Sequence, residues 1–239
     1  MDGDPTRSLN LDVSDNVTVT AKVDAPRSVD AKLPGLLLAH GANNGLDHPL
    51  LAQVAAALAE KGVATVVRFN FPYAEHGGTS SDPESVLETT YRRAHDLMVD
   101  ELLEPGAPVF LGGKSLGGRI AAELVSRYHE GEGLQASGLV VLGYPLHAPG
   151  RKDQLHLEPL RRIGIPSLFC IGSRDPFCDP DLLRPVLAGL GRPGRMYVVE
   201  GGDHSLRFAK SSGRGAEDAY TAVGAEVAAF IKAVGSSGT

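Results

Sequence analysis

Short runs of apolar residues recur along the chain, and segments with helical periodicity separate them. The runs have the length of strands, and strands are predicted at 33–39, 63–67, 107–111, 138–142, 166–171 and 195–199. The continuous apolar runs at 33–39 and 63–67 are typical of buried strands. Val17 to Val23 instead alternates apolar and polar residues, as a half-exposed strand does. Residues 1–16 are polar and are expected to form a loosely ordered lead-in.

The intervening segments carry apolar residues three and four positions apart, so each predicts a helix with one buried face. Helices are predicted around 49–62, 82–102, 116–125, 157–163, 181–190 and 220–234. Strands and helices alternate from residue 33 onward, which predicts an α/β fold with a mostly parallel central sheet and helices on both faces. No composition shift or repeat interrupts this pattern, so a single domain over residues 1–239 is expected.

Composition restricts the classes of function. The chain has 239 residues, 42% apolar and 22% charged, which is typical of a soluble globular protein. A net charge of −6 argues against nucleic-acid binding. No apolar stretch has the length of a membrane span, and Met1 to Pro5 lacks the features of a signal peptide. Cys170 and Cys178 form neither a disulfide framework nor a paired zinc motif, which favours a cytoplasmic location.

The candidate chemistry begins in the segment from Leu111 to Arg119, which contains Gly113-x-Ser115-x-Gly117. A serine on a tight turn between a strand and a helix is the nucleophile elbow of α/β-hydrolases. One alternative is a Gly-rich turn with a capping serine. Another is a phosphate loop, but that motif requires a glycine where Pro108 stands, and we reject it. Ser115 is therefore a candidate nucleophile.

A serine nucleophile needs a base, and the base needs an acid that orients it. Asp175 lies four residues beyond one predicted strand, and His204 lies five beyond the next. Because catalytic groups of parallel sheets gather beyond the carboxyl ends of the strands, both are expected to meet Ser115. The order Ser, Asp, His is that of α/β-hydrolases. The competing acids are Asp179, Asp181 and Asp203.

Acyl transfer also requires two N–H donors for the negative charge that develops on the substrate oxygen. We predict the backbone N–H of Leu116 as one donor, and that of Ala42, or else of Asn43, as the other. The residues predicted to contact substrate are Tyr73, Lys114, Leu146 and Phe177. Lys114 and Arg68 lie near strand ends, where they either attract an anionic substrate or form structural ion pairs. No metal-ligand pattern stands out, and no cofactor is expected.

Seven short motifs follow one another along the chain: His40-Gly41-Ala42, Asp47-His48-Pro49, Phe69-Asn70-Phe71-Pro72-Tyr73, Gly112-Gly113-Lys114-Ser115-Leu116-Gly117-Gly118-Arg119, Gly143-Tyr144-Pro145-Leu146-His147, Arg174-Asp175-Pro176 and Gly202-Asp203-His204-Ser205. Together they resemble the dienelactone-hydrolase-like branch of the α/β-hydrolase superfamily, which includes a testis-expressed protein and a chromatin-complex subunit of animals. The resemblance covers residues 33–232. It implies a minimal α/β-hydrolase fold and a triad of Ser115, Asp175 and His204. The chain departs from dienelactone hydrolases proper, which use a cysteine nucleophile.

Large lids in this superfamily usually follow the strand after the elbow. Here about 23 residues separate Leu142 from Pro166, so no large lid and an open cleft are expected. We predict a serine hydrolase that cleaves a small soluble carboxylic ester, thioester or related acyl compound through an acyl-enzyme on Ser115. The alternative is a catalytically silent binding or interaction module. The expected partner is a small-molecule acyl substrate, not nucleic acid or membrane; substrate identity and oligomeric state are not predicted.

Overall fold

The computed structural model describes residues 6–27, 32–192, 194–209, 211 and 213–236, which form a sheet of eight strands with helices on both faces. The strands are β1 (Thr6–Ser14), β2 (Val17–Asp24), β3 (Gly35–Ala39), β4 (Thr65–Phe69), β5 (Val109–Lys114), β6 (Gly138–Leu142), β7 (Ser167–Gly172) and β8 (Arg195–Val199). The helices are α1 (Pro49–Glu60), α2 (Pro72–Glu75), α3 (Glu84–Leu97), α4 (Leu116–Ser126), α5 (Glu158–Arg161), α6 (Pro180–Ala188) and α7 (Ala216–Gly235). A π-helical turn, Met98–Leu102, extends α3, and a 3₁₀ turn, Tyr128–Glu130, follows α4.

The strand order across the sheet is β1-β2-β4-β3-β5-β6-β7-β8. Strands β3 to β8 run parallel to one another, whereas β2 pairs antiparallel with both β1 and β4 at one edge of the sheet. The predicted mostly parallel sheet is confirmed. Strand β5, which leads to Ser115, lies between β3 and β6, so the loops after these strands surround it.

Two hydrophobic cores lie on opposite faces of the sheet. Strand β3 shows the cause, since all five of its residues are buried and successive side chains point to opposite faces. Leu36 and Leu38 join the core beneath α1 and α7, whereas Leu37 and Ala39 join the core beneath α3 to α6. Because both faces are covered, the parallel strands β3 to β7 appear in the sequence as largely apolar runs, whereas β8 at the edge is only partly buried.

The beginning of the chain differs from the sequence-based expectation. Residues 6–14 form β1, which pairs antiparallel with β2, so the prediction of a loosely ordered lead-in is wrong for this segment. Leu11 and Val13 face the core, while Asn10 and Asp12 are exposed. An edge strand with one solvated face needs only alternate apolar residues, and its polar half made the segment look unstructured. Residues 1–5 lie outside the described residues.

The connection between β6 and β7 determines access to the carboxyl edge of the sheet. It contains a single short helix, α5, of four residues. The predicted helix over 157–163 is therefore present but shorter, and the expected absence of a large lid holds for this connection. In the described part of the chain, no helix combines the length and apolarity needed to traverse a bilayer.

Candidate active site

Ser115 occupies the tight turn between β5 and α4, with φ of 50° and ψ of −113°. Non-glycine residues rarely adopt positive φ, so this conformation stores strain that the surrounding structure must support. The flanking glycines permit the turn. A β-carbon at Gly113 would lie 2.6 Å from the carbonyl oxygen of Ala39, and one at Gly117 would lie 2.4 Å from the same atom. Strand β3 and helix α4 approach this closely only because neither residue has a side chain.

The side chains of Ser115, His204 and Asp175 form a hydrogen-bonded chain. Ser115 Oγ lies 2.9 Å from His204 Nε2, and His204 Nδ1 lies 2.8 Å from Asp175 Oδ2. Asp175 also accepts the backbone N–H of Phe177 at 2.8 Å through Oδ1. Because an ionised carboxylate only accepts, His204 donates from Nδ1, which leaves Nε2 free to accept the Ser115 hydroxyl proton. The arrangement is that of a nucleophile, a base and an orienting acid.

The competing acids are occupied elsewhere. Asp203 accepts backbone N–H groups from Ser205 and Arg207 and pairs with the Arg207 guanidinium at 3.0 Å. Asp179 caps α6 by accepting the N–H of Asp181 at 3.0 Å, so Asp181 itself lies in the first turn of that helix. Neither Asp203 nor Asp179 is bonded to His204 in the described structure.

Sequence reasoning missed two glycines that allow the His204 loop to approach the sheet. A β-carbon at Gly143 would lie 2.6 Å from the His204 carbonyl oxygen, and Gly143 has φ of 72°. A β-carbon at Gly172 would lie 2.3 Å from the Asp203 carbonyl oxygen. Both glycines stand where β6 and β7 end, and a glycine at the end of a strand often marks a close approach of another backbone segment. This was the signal available in the sequence.

The predicted oxyanion residues lie on two segments beside Ser115. Leu116 is the first residue of α4, so its N–H has no carbonyl partner within the helix. Ala42 and Asn43 are exposed at the centre of a turn that the N–H of Asn44 closes onto the Gly41 carbonyl oxygen at 3.2 Å. Asn43 has φ of 55°, which asparagine tolerates better than most residues. A β-carbon at Gly41 would lie 3.2 Å from Ser115 Cβ, so this turn runs directly beside the candidate nucleophile.

The predicted substrate contacts have different surroundings. Leu146 is completely buried in the core beneath α3 to α6, so the expectation that it lines an open cleft is wrong. Tyr73 is 7% exposed and donates its hydroxyl hydrogen to the Gly41 carbonyl oxygen at 3.3 Å. Phe177 is half-buried and its ring lies against the His204 imidazole, with centroids 4.6 Å apart. The loop after β6 packs inward, which the polarity of its sequence did not reveal.

Arg68 and Lys114, the two cations near strand ends, have different surroundings. Arg68 is buried and pairs with Asp24 at 2.9 Å, so it forms the structural ion pair considered for it. Lys114 is 4% exposed, and its Nζ would lie 3.4 Å from a β-carbon placed at Gly41. Burial lowers the pKa of Lys114, while the negative charges of Asp175 and Asp203 partly oppose that effect. Lys114 therefore places a buried amino group beside the turn that carries Ala42.

Among the residues that the structure describes, one group of three acidic side chains has the spacing of metal ligands: Glu84, Glu88 and Glu123. Arg119 pairs with Glu84 at 3.0 Å and also with Glu123, and Arg127 pairs with Glu88. Each carboxylate thus has a cationic partner, and the group is an ion-pair network that links α3 to α4.

The fold and this site define an α/β-hydrolase, and comparison with known proteins agrees. A family model described as an alpha/beta hydrolase domain matches residues 32–232. The chain belongs to that family.

Solved structures of similar fold include three with nearly complete overlap. XC6422 from Xanthomonas campestris, a serine hydrolase without lid, is 21% identical over 94% of each chain, with a TM-score of 0.68. Est1E from Butyrivibrio proteoclasticus is 13% identical over 94% of this chain and 99% of its own, with a TM-score of 0.71. A dienelactone hydrolase from Anabaena variabilis is 17% identical over 95% and 97%, with a TM-score of 0.68. At these identities the likeness concerns the fold.

Proposed function

We propose that the protein is a serine hydrolase that cleaves a small soluble carboxylic ester, thioester or related acyl compound. The observation that supports this most directly is the hydrogen-bonded chain from Ser115 Oγ through His204 to Asp175, located at a strained elbow. Such an arrangement activates a hydroxyl that is otherwise a weak nucleophile at neutral pH.

In the proposed mechanism, Ser115 Oγ attacks the acyl carbon while its proton passes to His204 Nε2. The N–H groups of Leu116 and Ala42 stabilise the charge on the tetrahedral intermediate. His204 then gives the proton to the leaving alkoxide or thiolate, and the acyl group remains on Ser115. A water molecule that loses its proton to His204 attacks this acyl-enzyme, and return of the proton to Ser115 releases the acid. Asp175 keeps His204 in the required tautomer and stabilises its charged form.

The substrate is proposed to be short and soluble because the β6–β7 connection is too short to cover a long acyl chain. The similarity of fold to a serine hydrolase described as lacking a lid supports this size limit. Phe177, beside His204, is the remaining apolar candidate for the cleft wall. We propose that Lys114 contacts an anionic substrate, because its amino group is buried beside the turn that carries Ala42.

We also propose a branch of the superfamily and a location for the protein. The seven motifs support membership of the dienelactone-hydrolase-like branch that includes the testis-expressed and chromatin-complex proteins. A cytoplasmic location is supported by two cysteines that are both free and buried.

The test is labelling with a fluorophosphonate, combined with hydrolysis of esters from acetyl to palmitoyl. We expect wild type to label and to favour short acyl chains, and Ser115→Ala to lose labelling and at least about 10⁴-fold in kcat. Ser85→Ala, an exposed serine on α3, is the matched control and should label like wild type. Labelling that survives Ser115→Ala contradicts the nucleophile, and a rise in kcat/KM toward palmitoyl contradicts the open cleft. A folded wild type that neither labels nor hydrolyses any ester supports the binding-module alternative.

A further inference from the structure

The carbonyl oxygen of Gly41 is the anchor of the turn that carries the proposed oxyanion donor. Three groups donate to it: the N–H of Asn44 at 3.2 Å, the imidazole Nδ1 of His40 at 2.9 Å and the hydroxyl of Tyr73 at 3.3 Å. The first bond closes the turn itself. The other two come from side chains that belong to neither the triad nor the turn.

The hydrogen-bonding partners of His40 determine its tautomer. The backbone N–H of Phe71 donates to His40 Nε2 at 3.0 Å, so Nε2 carries no hydrogen and Nδ1 must be the donor toward Gly41. The ring is completely buried, with edge-to-face contacts to Phe71 and Tyr73 at centroid distances of 5.0 and 5.7 Å. Burial lowers the pKa of His40 and outweighs the hydrogen bond to Gly41, which raises it. The nearby charge of Lys114 also lowers this pKa, so the neutral ring persists at pH 7.

The hydroxyl of Tyr73 is an equally permanent donor. Burial raises the pKa of Tyr73 to about 12, so its proton stays in place at neutral pH. The backbone of Tyr73 is fixed as well, because its N–H donates to Asp82 Oδ2 at 2.9 Å. Tyr73, in α2, and His40, directly after β3, thus reach the Gly41 carbonyl oxygen from fixed positions.

Peptide geometry transmits this constraint to Ala42. The peptide group is planar, and in its trans form the carbonyl oxygen of one residue and the N–H of the next point in opposite directions. The peptide between Gly41 and Ala42 is trans. Fixing the Gly41 oxygen against His40 and Tyr73 therefore fixes the Ala42 N–H on the opposite side of this peptide. The turn that holds the peptide lies against Ser115.

We propose that His40 and Tyr73 are positioning residues that orient the Ala42 N–H as an oxyanion donor by holding the Gly41 carbonyl. This inference rests on the proposed function and gives Tyr73 a different role from the substrate contact predicted from the sequence. Neither side chain needs to touch the substrate, so their effect is expected on the chemical step and not on substrate binding.

The decisive variant is Tyr73→Phe, which removes one donor and keeps the ring. We expect kcat for a short acyl ester to fall about 5- to 10-fold, as the loss of one neutral hydrogen bond predicts, with KM within about twofold of wild type. The rate of fluorophosphonate labelling should fall by a similar factor because that reaction also develops negative charge on oxygen. Tyr144→Phe is the matched control. Tyr144 is likewise buried and bonds a backbone carbonyl, that of His156 at 3.2 Å, so its loss should leave kcat unchanged.

His40 supplies a second, graded test. His40→Leu removes the donor to Gly41, and we expect kcat to fall about 100-fold, a loss typical of an oxyanion donor. His40→Asn retains an amide N–H at the position of Nδ1 and should recover part of this loss without a change in KM. Circular dichroism identifies a variant that fails to fold, in which case Tyr73→Phe decides.

The outcomes separate this inference from the proposed function. Wild-type kcat in Tyr73→Phe, or a raised KM with unchanged kcat, overturns the positioning role and leaves the serine hydrolase standing. Labelling that survives Ser115→Ala, or a folded wild type that neither labels nor hydrolyses esters, overturns the proposed function and this inference with it. A loss of kcat in Tyr73→Phe that Tyr144→Phe does not share, at unchanged KM, supports the inference.

Discussion

The contact between Gly117 and strand β3 leads to a sharp prediction about the elbow. In Gly117→Ala, the new β-carbon would lie 2.4 Å from the carbonyl oxygen of Ala39, 2.6 Å from its carbonyl carbon and 2.7 Å from its Cβ. All three distances are well below the usual separation of non-bonded heavy atoms. The atoms belong to a central strand paired on both sides, with β4 and β5, so the strand cannot move away without disturbing the sheet.

The size of the effect follows from two opposing terms. Overpacking of this kind typically costs about 1–3 kcal/mol, and contact with immobile backbone places Gly117→Ala near or beyond the upper end of that range. Alanine is a better helix former than glycine, so the substitution also stabilises α4 by at most about 1 kcal/mol. We therefore expect the free energy of unfolding to fall by about 2 kcal/mol, a large part of the stability of a typical domain.

The measurement is denaturant unfolding of the purified variant, with Gly235→Ala as control. Gly235 is the last residue of α7, and a β-carbon added there would meet open space, so this substitution should be neutral or slightly stabilising. Fluorophosphonate labelling should also slow by about 100-fold if the elbow shifts by about 1 Å, because Ser115 then loses its alignment with His204. Wild-type stability and labelling in Gly117→Ala would refute the packing argument.

Two further predictions concern titratable groups. Asp175→Asn can turn an amide N–H₂ toward His204, which forces the wrong tautomer of the imidazole, so kcat should fall about 10⁴-fold at a nearly unchanged melting temperature. The control Asp203→Asn should lose less than about tenfold in kcat. A larger loss in Asp203→Asn than in Asp175→Asn would make Asp203 the acid. Burial first, and then the charges of Lys114 and Arg207, lower the pKa of His48 to about 4. In the unfolded chain, His48 has a pKa of about 6.5, so below this pH the unfolded chain binds a proton at His48 that the folded protein does not bind. The free energy of unfolding should therefore fall as the pH drops from about 6.5 to about 4. In His48→Asn, which keeps an N-cap acceptor for α1, this loss of unfolding free energy should be smaller by about 1 kcal/mol after allowance for solvent screening. Denaturant titrations at several pH values measure it. An equal loss in both proteins contradicts the assignment to His48.

The site shows which parts of the structure local sequence patterns can indicate. Ser115 and Asp175 each follow a buried strand, which an apolar run reveals because both of its faces are covered. His204 follows β8, an edge strand that is only partly buried. The glycines on either side of Ser115 could also be predicted from a local pattern, because the tight turn of a nucleophile elbow requires residues without side chains. The hydrogen bonds from His40 and Tyr73 to the Gly41 carbonyl oxygen could not be predicted, because the two residues are 33 positions apart and nothing in either segment specifies the other.

The sequence by itself determined the parts that depend on neighbours along the chain: the strand–helix alternation, the elbow, and the placement of the three candidate catalytic residues after strand ends. β6 and β8 were predicted with their observed bounds. Only the tertiary structure decided what depends on contacts between distant segments. The sheet order brings Asp175 within hydrogen-bonding distance of His204, 29 residues away, and His204 within reach of Ser115, 89 residues away. Packing buries Leu146 and turns the hydroxyl of Tyr73 toward Gly41, because the burial of a loop residue depends on the segments that cover it and not on its own local pattern.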